Sequence, residues 1–341
     1  MRITVLLGGT SSERDVSIAS GLRVADALRS RGHSVTAVDT VRGALTPAEE
    51  QAVLAGPVMK TLPPEQGALA SLSSETLPAT VRGLGAQRGA DVVFIGLHGG
   101  QGEDGTLQAL LDLTGIPYTG SGHLASALAM DKDLSKRLFR DAGVRTADWL
   151  MAPAHDDEIV AKLGLPVIVK PSKQGSTVGL TLVKQRADLQ PAIVEARKFD
   201  DEVMIEQFIA GRELTVGILG DVALPVGEII PKHEIYDYEC KYTPGMAREE
   251  FPARLSAVEA GTVQEQALLA FKALKLSGCA RIDFRMMKDG TFYCLEANTL
   301  PGMTELSLIP QAAAAAGITF PELCDRIVQL ALRAKDSGET K

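Results

Sequence analysis

The chain has 341 residues, enough for two or three domains with substantial cores. Its 45% hydrophobic content is that of an ordinary globular protein and excludes a disordered one. With 35 basic against 43 acidic residues the net charge is −8, which argues against non-specific nucleic-acid binding, and no stretch approaches the roughly 18 apolar residues of a membrane span.

The opening "MRITVLLGG" holds too short an apolar run for a secretory signal. Cys240, Cys279, Cys294 and Cys324 show no CxxC spacing, so a reduced, cytoplasmic protein without structural zinc or disulfides is expected. "RITVLLGG" reads as a buried parallel strand ending in glycines, and "SSERDVSIASGLRVADALRSRG" as a helix with a glycine stop. "HSVTAVD" is a second strand, residues 41–90 are rich in Pro, Gly, Ala and Ser and hold a helix and loops, and "ADVVFIGLHGG" is a further buried strand. "EDGTLQALLDLTG" predicts a helix with acids at its start, completing a β-α-β-α order that ends near Gly120.

From Ser121 the pattern changes. "SALAMDKDLSKRLFRDAG" predicts one helix. "LPVIVKPSKQGSTVGLTLV" then reads as strand, Gly/Ser loop and strand, followed by a helix near 187–198 and the strand "EVMIEQFI". Beyond it, "RELTVGILG", "VALPVGEII", "CARIDFRMM" and "TFYCLEAN" are strands, while "TVQEQALLAFKALKLSG" and "FPELCDRIVQLALRAK" are amphipathic helices. The expected fold class is α/β: a doubly wound N-terminal domain (1–120) followed by two α+β lobes (121–206 and 207–341).

Asp289-Gly290 between two strand-like runs signals a two-residue hairpin turn. If Lys288 pairs with Thr291, counting back sets Asp283 opposite Glu296 and Arg281 opposite Asn298. Strand side chains alternate, so all four share one face. Opposed carboxylates repel, and burial sharpens the repulsion. A hard cation between them resolves it; two carboxylates and an amide oxygen suit Mg²⁺, with Arg281 placed to stabilise developing negative charge. The plainer reading makes Arg281 the neutraliser of a structural acid cluster, which leaves Asn298 and the "TLPG" exit without a role.

Other stretches are weaker alone. "VKPSKQGSTVG" offers Lys170 and a loop whose N–H groups suit phosphate, though it is no Walker A and equally fits a polar hairpin. "MIEQFIAGRELTV" carries Glu206, Gln207 and Glu213 at a strand exit suited to a purine edge and ribose, or to a plain crossover between sheets. Glu13 and Arg14 follow a Gly-rich turn without GxGxxG, which disfavours a dehydrogenase; Glu13 also fits a first-turn helix acid. His98 sits at a strand end and is as readily structural. "HEIYDYECKYTPGMAREEF" (233–251) is either a lid or a long surface loop.

Together "LLGGTSSERDVS", "LHGGQGEDGTLQ", "PYTGSG", "AMDK", "VIVKPSKQGSTVG", "YDYECKY", "GCARIDF" and "LEANTLPGMT" resemble the D-alanine–D-alanine ligase family of the ATP-grasp fold, from Arg2 to about Leu332. The resemblance implies ATP-dependent joining of two D-alanines through an acyl phosphate, for peptidoglycan synthesis. It implies ATP held by Lys132, Lys170, Glu206, Gln207, Ile209 and Glu213, with Ser176 and Lys241 also at the nucleotide. Two Mg²⁺, or Mn²⁺, would sit on Asp283, Glu296 and Asn298. Glu13 would take the ammonium of the first D-alanine with His98 nearby, and Glu13, Ser176 and Tyr242 would tie a lid to the first domain. Arg281 and the Gly302 N–H would form an oxyanion hole; Lys241, Ser307 and Leu308 would hold the second carboxylate. Gln207 stands where many relatives carry lysine, while Tyr242 matches the dipeptide-forming members. The resemblance also implies a homodimer. The alternatives are a D-alanyl-D-lactate or other ATP-grasp carboxylate–amine ligase, and, from another class, a non-catalytic nucleotide-binding regulator.

Overall fold

A computed structural model of the chain describes residues 1–55, 76–87, 89–243, 245–304 and 307–336. The first unit is a four-stranded sheet of β1 (Arg2–Leu7), β2 (Ser34–Asp39), β3 (Gly43–Ala44) and β4 (Val92–Ile95) in the order β3-β2-β1-β4. β1 pairs in parallel with β2 and β4, as continuous apolar runs covered on both faces do. The helix Arg14–Ser30 lies directly on β1: a Cβ on Gly21 would come 2.6 Å from that of Leu7. Val5, Leu7, Leu22 and Leu28, each at most 1% exposed, sit in this layer, and burying each contributes roughly 1.5–3 kcal/mol. The opposite face takes Leu107 and Leu111 from the helix Thr106–Thr114. In the Pro-, Gly- and Ala-rich region, helices occupy Pro47–Ala55 and Thr76–Gln87; residues 56–75 and 88 are outside the described ones.

The second unit is an antiparallel sheet of β5 (Trp149–Met151), β6 (Val167–Pro171), β7 (Thr181–Val183) and β8 (Val203–Gln207), ordered β5-β8-β6-β7. The third holds β9 (Arg212–Leu219), β10 (Val222–Ala223), β11 (Gly227–Pro231), β12 (Ala247–Glu250), β13 (Cys279–Met286) and β14 (Phe292–Asn298), with the path β12-β11-β9-β13-β14. Its inner face packs Leu214, Val216, Ile282 and Phe284 against Ala267 and Phe271 of the helix Ala257–Ala273. That helix starts earlier than its apolar pattern, because Ser256 and Glu259 form a capping box.

Several expectations need correction. The predicted single helix over 126–143 is two helices, His123–Met130 and Lys132–Asp141, because Asp131 turns extended and caps the second through Leu134 N–H at 3.0 Å. "VALPVGEII" is two strands, since Pro225 lies between β10 and β11. The acids before Thr106 precede its helix, and Glu103 turns inward. The region 233–251 contains a short helix, Tyr238–Tyr242, and β12. All four cysteines are free and buried.

The metal-strand hairpin departs from its predicted turn yet keeps the predicted pairing at the site. Met287 N–H bonds Thr291 O at 2.9 Å and Gly290 N–H bonds Met287 O at 3.0 Å, so the loop has three residues rather than two. Pairing from Met286↔Phe292 to Phe284↔Cys294 is therefore shifted by one. An irregularity beyond Phe284 leaves Leu295 as an extra residue on β14 and removes the shift, restoring Asp283↔Glu296 and Arg281↔Asn298.

Candidate active site

Two adjoining cavities lie where the three units meet. One is walled by both antiparallel sheets and includes Lys132, Lys170, Glu206, Gln207, Ile209, Glu213 and Asp283. The other is walled by Glu13, His98, Asn298, Gly302, Ser307 and Leu308. Ser176, Tyr236, Lys241, Arg281 and Glu296 face both. Every site residue read from the sequence thus borders a cavity except Tyr242, whose side chain lies outside the described ones.

At the inner wall, Lys132 is the first residue of its helix. Its Nζ donates to Gln174 O at 2.8 Å and stands 3.4 Å from Glu296 Oε2, joining the Gly/Ser loop to β14. Lys170 on β6 donates to Glu206 Oε2 at 2.6 Å, while Lys136 donates to the other oxygen, Oε1. Burial pushes the Glu206 carboxyl up, but the two ammonium groups outweigh it and hold it at about 2. Burial likewise opposes the charge on Glu296, and Lys132, Lys241, Lys170 and Arg281 prevail, again to about 2. Glu213 is pushed up by burial, against the pull of Arg285, whose Nη2 lies 3.0 Å away.

Arg281 grips Asp283 with two nitrogens, Nε to Oδ1 at 2.9 Å and Nη2 to Oδ2 at 2.8 Å, and Thr215 Oγ1 donates to Oδ1 at 2.7 Å. Burial works against the Arg281 charge, yet Asp283 and Glu296 hold it protonated more firmly than usual. Asn298 Nδ2 lies 3.5 Å from Asp283 Oδ2, which turns the amide nitrogen to the acid and leaves the amide oxygen for another partner. Asp283, Glu296 and Asn298 thus offer hard oxygen donors, and that set fits Mg²⁺ or Mn²⁺ rather than a thiophilic metal.

The second cavity has different chemistry. Glu13 opens the helix Arg14–Ser30 without capping it; its carboxylate accepts from Ser176 Oγ instead. A Cβ on Gly99 or Gly175 would come 2.8 or 2.9 Å from Glu13 Oε2, so both glycine loops close tightly around this acid. Ser176 and Thr177 adopt φ of 49° and 59°, each costing about 1–3 kcal/mol, so the loop is held out of its relaxed form. Arg14, by contrast, is buried against Asp39 and Gly9 O and is structural. At the far side Ser307 Oγ accepts from Thr304 N–H at 3.0 Å, and a Cβ on Gly302 would come 2.7 Å from that oxygen. Over the top, Lys241 Nζ lies 5.4 Å from the centre of the Tyr236 ring. His233, Asp237 and Cys240 nearby form a helix cap: Asp237 accepts from Cys240 N–H at 2.9 Å and meets His233 Nδ1 at 2.7 Å.

His98 borders this cavity as a strut. Its Nδ1 meets Leu300 O at 2.8 Å and its Nε2 meets Ser20 Oγ at 3.1 Å. Glu103, which sequence reasoning passed over as a helix-start acid, grips the backbone of the same residue, Leu300, from its N–H side. It accepts from Leu300 N–H at 3.2 Å and Gly99 N–H at 3.0 Å. Burial, then the Glu13 carboxylate, push Glu103 up to about 7. Its folded value exceeds the ordinary carboxylate value of about 4.3, so its contribution to stability is complete below that value and is lost as pH rises through about 7. Thermal unfolding of the parent is expected to lose more midpoint between pH 5 and 8 than that of Glu103→Gln, which cannot ionise. Parallel curves would show that Glu103 ionises normally.

Residues 2–121 match the family described as D-ala D-ala ligase N-terminus, and residues 138–329 that described as D-ala D-ala ligase C-terminus. The D-alanine–D-alanine ligase of Geotalea uraniireducens is 42% identical over 332 residues, covering 97% of this chain and 95% of that one. That of Halalkalibacterium halodurans is 41% identical over 98% of this chain and 100% of that one. Among solved structures, the Bacillus anthracis D-alanine–D-alanine ligase superposes with a TM-score of 0.78 at 34% identity, covering 99% of both chains. The same enzyme complexed with ATP superposes with a TM-score of 0.75, also at 34% identity over 99% of both. The two family matches cover most of the chain and the relatives nearly all of it, and the chain therefore belongs to the D-alanine–D-alanine ligase family.

Proposed function

We propose that the protein uses ATP to convert one D-alanine to an acyl phosphate and joins it to the amine of a second, releasing D-alanyl-D-alanine, ADP and phosphate for peptidoglycan synthesis. One observation carries this reading: a cavity lined by Lys132 and Lys170 and a second lined by Glu13 share a wall that includes Glu296 and Arg281. Such a shared wall lets a phosphate donor on one side approach a carboxylate acceptor on the other.

In this reading Lys132 and Lys170 hold the phosphates, Glu206 to Ile209 border the adenine, and Glu213 reaches the ribose. Glu13, gathered in by two glycine loops, takes the ammonium of the first D-alanine. Its bond to Ser176 carries the Gly/Ser loop onto the first domain. Asp283, Glu296 and Asn298 would hold Mg²⁺ or Mn²⁺, which when bound would supply positive charge against the phosphoryl group. The second D-alanine sits with its carboxylate at Lys241, Ser307 and the Leu308 N–H. It attacks as a free amine, and Arg281 and the Gly302 N–H receive the negative charge on the tetrahedral carbon's oxygen. The segment around Tyr236 and Lys241 keeps water from the acyl phosphate.

The domain division at 120 and 206, a homodimer and a cytoplasmic location belong to the same proposal. No helix among the described residues is long and apolar enough to cross a membrane. The deciding experiment is ADP release by the purified protein with ATP and Mg²⁺, comparing D-alanine, L-alanine and D-alanine plus D-lactate, with the product mass determined. D-alanine alone is expected to support ADP release and yield the dipeptide. No D-alanine-dependent ADP would discard the substrate, and a depsipeptide would move the assignment to a D-alanyl-D-lactate ligase.

A further inference from the structure

Lys136 has no exposed surface, and it lies behind the nucleotide cavity rather than on its wall. A lysine in such a place is costly unless its charge has a partner and a purpose. Its Nζ donates to Glu206 Oε1 and to Thr146 Oγ1, the latter at 2.6 Å, and lies 5.1 Å from the centre of the Trp149 ring. Thr146 Oγ1 in turn donates to Cys294 O at 2.7 Å, which links the group to the strand that carries Glu296. The second oxygen of Glu206 receives Lys170, and only Lys170 of the two lysines reaches the cavity.

Burial loosens the hold of Lys136 on its proton and the Glu206 carboxylate tightens it; with Lys136 paired to Glu206, the arrangement contains two ammonium groups and one carboxylate. Without Lys136, Lys170 and Glu206 would form a closed neutral pair, and the lysine facing the cavity would present little net charge to an anion. With Lys136 in place the group carries a net charge of one proton, and the ammonium free to act on the cavity is that of Lys170.

We propose that Lys136 is a positioning residue for nucleotide binding: it takes up the charge of Glu206 so that Lys170 keeps its own for the polyphosphate. This rests on the reading of Lys170 as a phosphate-binding lysine. A plainer role is mechanical, with Lys136 stapling its helix to β8, and the two roles give different results when the charge is restored without the lysine.

The test measures equilibrium binding of ATP and of adenosine, with Mg²⁺ and without D-alanine, to the parent, Lys136→Met, Lys136→Met/Glu206→Gln and Lys170→Met. Thermal unfolding confirms that each is folded. Lys136→Met is expected to weaken ATP by roughly tenfold or more, the size of one partly buried charge interaction, while adenosine changes by less than about twofold. The double variant leaves Lys170 beside a neutral amide, so the parent's preference for ATP over adenosine is expected to return. A double variant as poor as Lys136→Met would make the role mechanical and overturn the inference. So would an unchanged preference in Lys136→Met when Lys170→Met has lost it. If Lys170→Met keeps the preference, the phosphate reading of Lys170 itself falls, and the inference with it. Should Lys136→Met fail to fold, the double variant alone decides: folded with the parent's preference it upholds the inference, folded without it the inference is lost.

Discussion

Glu296→Gln is expected to lower turnover by well over a hundredfold and to raise the Mg²⁺ concentration needed for half-maximal activity. Loss of a group one step removed from a metal costs about 10–100-fold in affinity or activity, and a direct ligand should cost more. Burial, which disfavours its charge, is outweighed by the cations Lys132, Lys241, Lys170 and Arg281, which hold Glu296 ionised. Its removal has two opposite effects on the same wall. The cation site loses one of its two carboxylates, while the lysines lose a counter-charge and present more positive potential to a polyphosphate. ATP binding without metal should therefore persist or tighten as the Mg²⁺ requirement climbs. A general collapse of the site would weaken both, so the two measurements separate lost metal binding from lost structure. Near-parent turnover with an unchanged Mg²⁺ curve would remove Glu296 from the metal site.

Much of this wall was legible in the sequence because strands obey a period of two. Asp283, Glu296, Arg281 and Asn298 fall on one face of a hairpin whose turn is announced by Asp289-Gly290. Their pairing was nonetheless reached through two departures that cancel: a longer turn and the extra residue Leu295. Neither has a signal in the residues themselves, since Asp-Gly serves two- and three-residue loops alike and a leucine bulge looks like any strand leucine.

The break at Asp131 was hidden for a related reason. "AMDKDLSK" keeps good helix formers on both sides, and only the capping bond to Leu134 shows that one helix has ended and another begun. That break sets Lys132 at a helix start facing the cavity and sends Lys136, four residues later on the same helix face, into the interior. Glu103 and Lys136 were missed because what singles them out is tertiary. One grips a peptide 197 residues away and the other a carboxylate 70 residues away, and no spacing rule spans such distances.

The Arg281→Ala prediction probes the other half of the chemistry. Loss of one donor to a developing oxyanion costs about 10²–10³ in kcat, so a fall of that size is expected, with the KM for ATP changed far less. Arg281 also has a second occupation, since it holds Asp283 through two nitrogens, with side chains only 16% and 10% exposed. Truncation leaves a mostly buried carboxylate with Thr215 and the weakly placed Asn298 as its remaining partners. Such a carboxylate destabilises the fold and binds a cation differently. The Mg²⁺ dependence of the variant therefore discriminates between the two occupations. A large loss in kcat at an unchanged Mg²⁺ requirement places Arg281 on the reacting oxygen. A loss that is recovered by raising Mg²⁺ makes it the keeper of Asp283, and a change confined to the KM for D-alanine makes it a substrate contact. Arg281→Lys sharpens the distinction: a single ammonium can still offset charge on an oxyanion but cannot reproduce the two-nitrogen grip on Asp283. If the oxyanion role dominates, lysine recovers part of kcat; if the grip dominates, lysine behaves like alanine.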